Sequence, residues 1–194
     1  MDKVFLINGH QKWKGSPGVL NKSLSDFAID FLVRHGFETQ YSYVEDDYDT
    51  IVEVEKMIWA DAIIYQFPVY WFSYPWRFKQ YIDEVFMEGL GLLFKDDGRT
   101  RNDPSKKYGT GGLMNGRKYM VSVTWNAPKE SFTDPQQLFN GRSVDEVFTH
   151  FHKANEFLDL QGLPSFSCHD VIKGEHIQED FQHYEEHLNA IFCK

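Results

Sequence analysis

Apolar positions along the chain form two kinds of run. Val4-Phe5-Leu6-Ile7 is continuous and of strand length, and Asp61 to Phe67 (DAIIYQF) and Tyr119 to Thr124 (YMVSVT) repeat the type. Thr39 to Val44 alternates as a strand does, and Leu163 to Val171 could hold a last strand. Between these runs the period lengthens. Leu20, Leu24, Phe27, Phe31 and Leu32 recur at helical spacing until His35-Gly36 closes the helix. Ile51, Val54, Ile58 and Trp59 share one face of a helix over Asp49 to Trp59. Phe78, Ile82, Val85 and Phe86 mark another, with Ser73 or Tyr74 at its cap and Pro75 in its first turn. Val147, Phe148, Phe151, Ala154, Phe157 and Leu158 predict a helix from Val144 to Leu160, and Ile177, Phe181, Tyr184, Leu188 and Ile191 a terminal one.

The resulting order is β-α-β-α-β-α-β-α-β-α. Strands that alternate with helices imply parallel βαβ units, right-handed crossovers and helices on both faces of the sheet. The fold class is therefore α/β, a doubly wound five-stranded parallel sheet. No repeat or linker divides the chain, so residues 1–194 read as a single domain. Residues 89–116 are Gly-rich, charged and aperiodic, and read as an insertion at the sheet's rim.

Composition narrows the function classes. With 42% hydrophobic and 25% charged residues, the 194-residue chain is ordinary for a soluble globular protein. A chain of this size buries roughly 70% of its unfolded surface and needs no staple. No apolar run reaches the span of a membrane helix, and the first residues lack a secretory signal's apolar region and cleavage site. A net charge of -9 repels phosphate backbones, which disfavours nucleic-acid binding. Cys168 and Cys193 form no CxxC or Cys/His cluster, so a zinc site is not expected, and two free thiols fit a reducing cytoplasm. His150, His152 and His169 lack the convergent spacing of a metal site. Aromatic residues reach 16%, which suits either core filling or the binding of flat ligands.

In a doubly wound sheet, ligands bind beyond the carboxyl ends of the strands, near the switch in strand order. Three loops occupy such positions. Asn8 to Asn21 (NGHQKWKGSPGVLN) leads into the first helix, where free N–H groups would face an anion, although neither GxGxxG nor a Walker A spacing is present. Pro68 to Phe72 places three aromatics where a loop is usually polar. Thr124 to Pro128 offers main-chain amides and Asn126 to the edge of a heterocycle. A cap, a core cover or a plain turn would account for each loop alone. Phosphate binder, aromatic wall and polar edge on one rim together suit a flavin nucleotide.

Several long motifs then carry a resemblance. Pro68 to Phe86 (PVYWFSYPWRFKQYIDEVF) resembles the flavin loop and following helix of the NAD(P)H:quinone reductases with a flavodoxin-like fold. Asp97 to Leu113 (DGRTRNDPSKKYGTGGL), Lys118 to Pro128 (KYMVSVTWNAP), Phe151 to Leu158 (FHKANEFL) and Ser16 to Asn21 (SPGVLN) resemble a bacterial branch of that family, nearly end to end. The resemblance implies a flavodoxin-like fold and an FAD-dependent, homodimeric, cytoplasmic enzyme. Such an enzyme reduces quinones to hydroquinones in a two-electron, ping-pong reaction with NADPH or NADH as co-substrate, and neither nucleic acid nor stable membrane insertion is involved.

The resemblance also implies site residues. Ser16, Pro17, Gly18, Val19, Leu20, Asn21, Lys22 and Ser23 would hold the pyrophosphate and ribityl chain. Pro68, Val69, Tyr70 and Trp71, with Phe72, would line the isoalloxazine. Thr124, Trp125, Asn126 and Ala127 would contact its edge, and Tyr108 would add a contact, reaching the partner subunit's cofactor. The chain departs from its relatives at Gly15-Ser16-Pro17-Gly18, where they carry His-Ser-Asn-Gly, and at Val69-Tyr70-Trp71, where they carry Gly-Trp-Trp; the second change alters the shape of the ring pocket. The Tyr-His pair of the animal reductases has no secure match after Ala127, so no catalytic acid or base is assigned. The basic excess over residues 95–118 (Lys95, Arg99, Arg101, Lys106, Lys107, Arg117, Lys118) could attract the extra phosphate of NADPH, or form a solvated loop or dimer contact. Two other functions fit a flavodoxin-like chain: an FMN-holding electron carrier, and an ancillary regulatory subunit of a potassium efflux system.

Overall fold

The computed structural model describes residues 1–174 and 176–193. Five helix-connected strand positions build one parallel sheet in the order β2-β1-β3-β4-β5, with β6 also pairing β4. The strands are β1 (Lys3–Asn8), β2 (Glu38–Tyr43), β3 (Ala62–Pro68), β4 (Lys118–Thr124), β5 (Gln161–Gly162) and β6 (Phe166–Cys168). The helices are α1 (Val19–Arg34), α2 (Thr50–Trp59), α3 (Trp76–Glu88), α4 (Glu130–Thr133), α5 (Val144–Val147), α6 (Thr149–Phe157) and α7 (Ile177–Phe192). The order reverses between β1 and β3, and this is the flavodoxin-like arrangement.

The alternation of side chains across the strands splits the core in two. Val4, Leu6, Ala62, Ile64 and Met120 face α1 and α7, where Leu24, Phe31, Tyr184 and Leu188 pack on them. Phe5, Ile7, Ile63, Tyr65, Phe67, Val121 and Val123 face the other way, onto Val54, Met57, Phe78, Tyr81, Val85 and Phe151 of α2, α3 and α6. Burial on both faces explains why β1, β3 and β4 read as unbroken apolar runs.

Local chemistry sets the ends of the elements. Gly36 (φ 85) closes α1 in a Schellman arrangement, in which its N–H donates to Val33 O and that of Phe37 to Leu32 O. Asp49 caps α2 by accepting from the amides of Ile51 and Val52. Helix α3 begins at Trp76 with Pro75 as its cap residue, so Ser73 and Tyr74 lie in the preceding turn rather than at the cap. The helix expected over Val144 to Leu160 is two helices, α5 and α6, with Phe148 between them. Phe148 and Phe151 are both buried, so the apolar stripe continues through the break and hides it from periodicity. The last strand position is divided in two, because Pro164 lacks the N–H that would continue the ladder between Gly162 and Phe166.

Helix α3 carries the chain from the carboxyl end of β3 to the amino end of β4. Residues 89–117 therefore lie at the amino-end rim, tied there by Leu113 N–H to Leu93 O and Met114 N–H to Leu158 O. The three loops after β1, β3 and β4 lie at the opposite, carboxyl-end rim. No helix of the described residues is long and apolar enough to cross a membrane.

Candidate functional site

A buried polar chain fixes the three loops relative to one another. Asn21, on the first turn of α1, donates to Thr124 Oγ1 (3.1 Å) and accepts from Gln66 Nε2 (2.9 Å). Gln66 Oε1 in turn accepts from Ser122 Oγ (2.7 Å). These side chains are buried at the carboxyl ends of β3 and β4, where an unpaired amide would be costly, and the chain pairs them. It ties the start of α1 to the carboxyl ends of β3 and β4, next to the switch point.

That start is left open. Gly18 is the cap residue, no side chain caps the helix, and the first turn holds no acid. The amides of Val19, Leu20 and Asn21 precede the first intrahelical bond, which is from Lys22 N–H to Gly18 O (2.9 Å). Free amides and the helix dipole at this end favour an anion. Gly18 is required twice: its φ is 86, and a Cβ there would stand 2.3 Å from the His10 ring. His10 braces the loop from below. Its Nε2 faces Ser16 O (3.1 Å) and its Nδ1 the Tyr43 hydroxyl (3.1 Å). A carbonyl only accepts, so the proton belongs on Nε2 and the tyrosine donates to Nδ1. Burial lowers the pKa of His10 and keeps the ring neutral, outweighing the bond to Ser16.

After β3 the chain makes a two-residue turn. Tyr70 and Ser73 exchange backbone bonds (2.8 and 3.1 Å), and Trp71 and Phe72 between them have φ values of 49 and 65. Such turns are normally made by Asn-Gly, and side chains held there are strained. Trp71 is 93% exposed, while Phe72 packs edge-on to Phe139. The Tyr70 hydroxyl donates to Gln11 O (2.8 Å), joining this turn to the β1–α1 loop. Between the two lies an open cleft of about 830 Å3, lined by Gln11, Trp13, Val69, Tyr70, Trp71, Ser73, Tyr74, Trp76, Lys79 and His150. Trp13 and Trp76 are 69% and 65% exposed, so three indoles stand around one opening. Burial and the neighbouring His152 lower the pKa of His150.

The expected residues divide by what they offer. Ser16, Pro17, Gly18, Val19 and Leu20 form the loop and the open helix start, and Tyr70 and Trp71 with Val69 line the cleft. Pro68 is buried at the end of β3, and Phe72 turns away toward Phe139. The Asn21 side chain is committed to the buried polar chain, Lys22 pairs with Asp26 (2.5 Å), and Ser23 is half-buried on α1. Thr124 serves the same chain as Asn21. The Trp125 ring points into the core against Phe132, Phe139 and Phe148, and the backbone N–H of this residue donates to Cys168 O (2.9 Å). Asn126 is exposed, and its backbone amide and that of Ala127 have no backbone acceptor among the described residues. Ala127 O is held by His169 Nδ1 (3.3 Å), whose pKa burial lowers.

Tyr108 lies elsewhere. It packs on Phe157 at the C-terminal end of α6 and under Arg99, whereas His150, at the N-terminal end of that helix, lines the cleft. Within one chain, Tyr108 and the basic stretch 95–118 belong to the opposite rim. There Arg99 pairs with Asp97, and Arg117 donates to Ile58 O (2.7 and 3.1 Å). Gln11 and Trp13 lie in the first expected loop but were given no role there, and Trp76, Lys79 and His150 were not among the residues expected at the site. An isolated tryptophan between two lysines in a strand-to-helix loop was the available signal for Trp13.

Known proteins share the same outline. Residues 2–191 match the model of a family described as having a flavodoxin-like fold. An uncharacterized protein of Schizosaccharomyces pombe is 44% identical over 190 residues, covering 98% of this chain and 97% of that one. The NADPH:quinone oxidoreductase MdaB of Haemophilus influenzae is 42% identical over 189 residues, covering 97% of this chain and 98% of its own. Among solved structures, a general stress protein 14 from Treponema denticola in complex with FMN superimposes with a TM-score of 0.69 at 20% identity, over 97% of this chain and 98% of that one. The chain therefore belongs to the flavodoxin-like family, in the branch that includes the Haemophilus influenzae quinone oxidoreductase.

Proposed function

We propose that this chain is a cytoplasmic, homodimeric, FAD-dependent NAD(P)H:quinone oxidoreductase that prefers NADPH and reduces quinones to hydroquinones by a ping-pong reaction. One observation carries the reading: an uncapped helix start and a tryptophan-walled cleft share the rim at the switch point. The first suits a phosphate and the second a flat ring, so the pair fits a flavin. Bound there, a flavin supplies two-electron transfer between a nicotinamide and a quinone.

The chain's own residues bind, orient and shield. The amides of Val19, Leu20 and Asn21 would hold the phosphate that adjoins the ribityl chain. Val69, Tyr70 and Trp71 would wall the ring. The amides of Asn126 and Ala127 would face its polar edge and favour negative charge developing there. Trp13, Trp71 and Trp76 narrow the opening and limit water. A single aromatic slot shared by donor and acceptor would make them use it in turn, which is the basis of the ping-pong scheme. NADPH preference rests on the Haemophilus influenzae relative's name, since the basic stretch 95–118 lies on the far rim. The dimer would bring Tyr108 to the partner subunit's ring, and exposed Met87, Leu90 and Leu92 near that segment favour pairing.

The test is chromatography of the pigment released from the purified protein, with menadione reduction by NADPH and NADH and light scattering for the dimer. Released FAD, parallel double-reciprocal lines and a faster NADPH reaction are expected. Turnover without any protein partner separates this reading from an electron carrier or an ancillary subunit of a potassium efflux system. Intersecting lines would remove the shared slot. A colourless polypeptide that refuses both FAD and FMN would remove the function.

A further inference from the structure

Beside the cleft lies a second hollow of about 490 Å3, lined by Lys12, Trp13, Lys14 and Pro17. Trp13 lines both, so cleft and hollow share one wall. We propose that Lys12, Trp13 and Lys14 form a subsite for the adenosine-side phosphate of a dinucleotide whose ring end occupies the cleft. The proposal rests on the function proposed above for what fills the cleft, and names the residues that would distinguish a dinucleotide from a mononucleotide there.

Three observations support it. The first is charge. In a chain of net charge -9, residues 3–25 contain four lysines and no acid. Lys22 and Lys79 pair with Asp26 and Asp83, but Lys12 and Lys14 have no ion-pair partner among the described residues. Two unneutralised ammonium groups beside a hollow attract a phosphate, and lysine serves phosphates as a point charge.

The second is bracing. Trp13 and Ser16 exchange backbone bonds (3.1 and 2.9 Å), so the segment is a closed hairpin rather than a loose loop. His10 holds it from below through Ser16 O, and the Tyr70 hydroxyl holds Gln11 O. A tryptophan fixed at 69% exposure on such a hairpin presents a ring face to a ligand at little further ordering cost.

The third is position. The open amides of α1 begin at Val19, while Lys12 and Lys14 precede Ser16 and Pro17 in the chain and share the lining of the hollow with Pro17. A mononucleotide ends with the phosphate at the helix start. Only a dinucleotide has a further phosphate and an adenosine to extend past Pro17 and lay its base against Trp13. The dinucleotide could be FAD or the nicotinamide co-substrate, which share this chemistry.

The experiment is calorimetric titration of the apoprotein with FAD, FMN and adenosine 2′,5′-bisphosphate. It compares the wild type with Lys12→Gln/Lys14→Gln, Lys12→Arg/Lys14→Arg and Trp13→Ala. If the flavin uses the subsite, the glutamine pair weakens FAD about tenfold, leaves FMN unchanged and is rescued by the arginine pair. If the nicotinamide uses it, FAD is unchanged, while the bisphosphate weakens about tenfold and KM for NADPH rises with it. Trp13→Ala weakens the same ligand as the glutamine pair. The proposal is overturned if FAD and the bisphosphate bind the glutamine pair as they bind the wild type, or if the glutamine pair weakens FMN as much as FAD. A wild type that takes up no flavin would remove the function proposed above, yet the bisphosphate arm still decides this one: binding lost in the glutamine pair supports the subsite, and no binding to the wild type ends it.

Discussion

Replacing Trp71 with Asn should move stability and ligand affinity in opposite directions. The residue holds φ 49 in the turn between Tyr70 and Ser73. A side chain in the left-handed region costs roughly 1–2 kcal/mol, and Asn tolerates that region far better than a bulky aromatic. About 1 kcal/mol of strain should therefore be relieved. The loss is small, because Trp71 is 93% exposed. A tryptophan has up to about 250 Å2 of surface to bury, so roughly 20 Å2 is covered here, worth about 0.5 kcal/mol at ~25 cal/mol per Å2. The net effect is a gain of about 0.5 kcal/mol, or roughly 1–2 °C in Tm for a chain of this size. Flavin binding should suffer instead. Stacking one face on the indole covers about 100 Å2, worth about 2.5 kcal/mol, and with about 1 kcal/mol of aromatic contribution amounts to about 3–4 kcal/mol, roughly a 150- to 800-fold loss in affinity. Thermal melts of the apoprotein and flavin titrations read the two terms separately. A Tm lowered by several degrees would show that the ring supports the fold, and an unchanged flavin affinity would take Trp71 out of the site.

Other perturbations follow from the buried groups. Asn21→Ala leaves Gln66 Nε2 without its acceptor and Thr124 Oγ1 without its donor. It should cost about 1–3 kcal/mol in urea denaturation, and a loss too small to measure would mean that water or rotation replaces the bonds. Cys168 is buried and its thiol is pushed up to about 12, while Cys193 is exposed. Ellman titration of the native protein at pH 8 should count one fast thiol per chain, and the second only after unfolding. Burial lowers the pKa of His10, His169 and His187 from 6.5. The unfolded chain therefore binds more protons as pH falls through 6.5, and the stability these groups confer above that pH is lost below it. Urea midpoints should drop between pH 7.5 and 5.5, and His10→Gln should flatten part of the slope; a midpoint that stays level across this range would show that the three rings titrate alike in both states.

Much of the fold was legible because both faces of β1, β3 and β4 are covered, which makes Val4 to Ile7 and Ala62 to Phe67 unmistakable runs. Periodicity sees only which residues are apolar, so it passed over the break at Phe148, where the stripe is continuous, and over the split at Pro164, where two short strands share one position. The three rim loops were legible from strand order. Their side chains were not: Trp125 reads in sequence as a contact to the ring's edge, whereas its indole is core in space, because the strand's alternation carries it past Thr124 toward Phe132 and Phe148. Trp13, Trp76 and His150 meet across three separate connections, and no local spacing records such a meeting. Tyr108 lies at the far rim because α3 carries the intervening chain the length of the sheet.

The uncapped start of α1 has a practical consequence. An anion that binds only the folded chain stabilises it by mass action, by about 2.7 kcal/mol at a hundred times its dissociation constant, and so raises its melting point. Samples kept in phosphate or sulfate would then look sturdier than the polypeptide alone, and purification buffers become part of any ranking of variants. Melts in a buffer without oxyanions give the baseline against which every substitution near Gly18 should be judged.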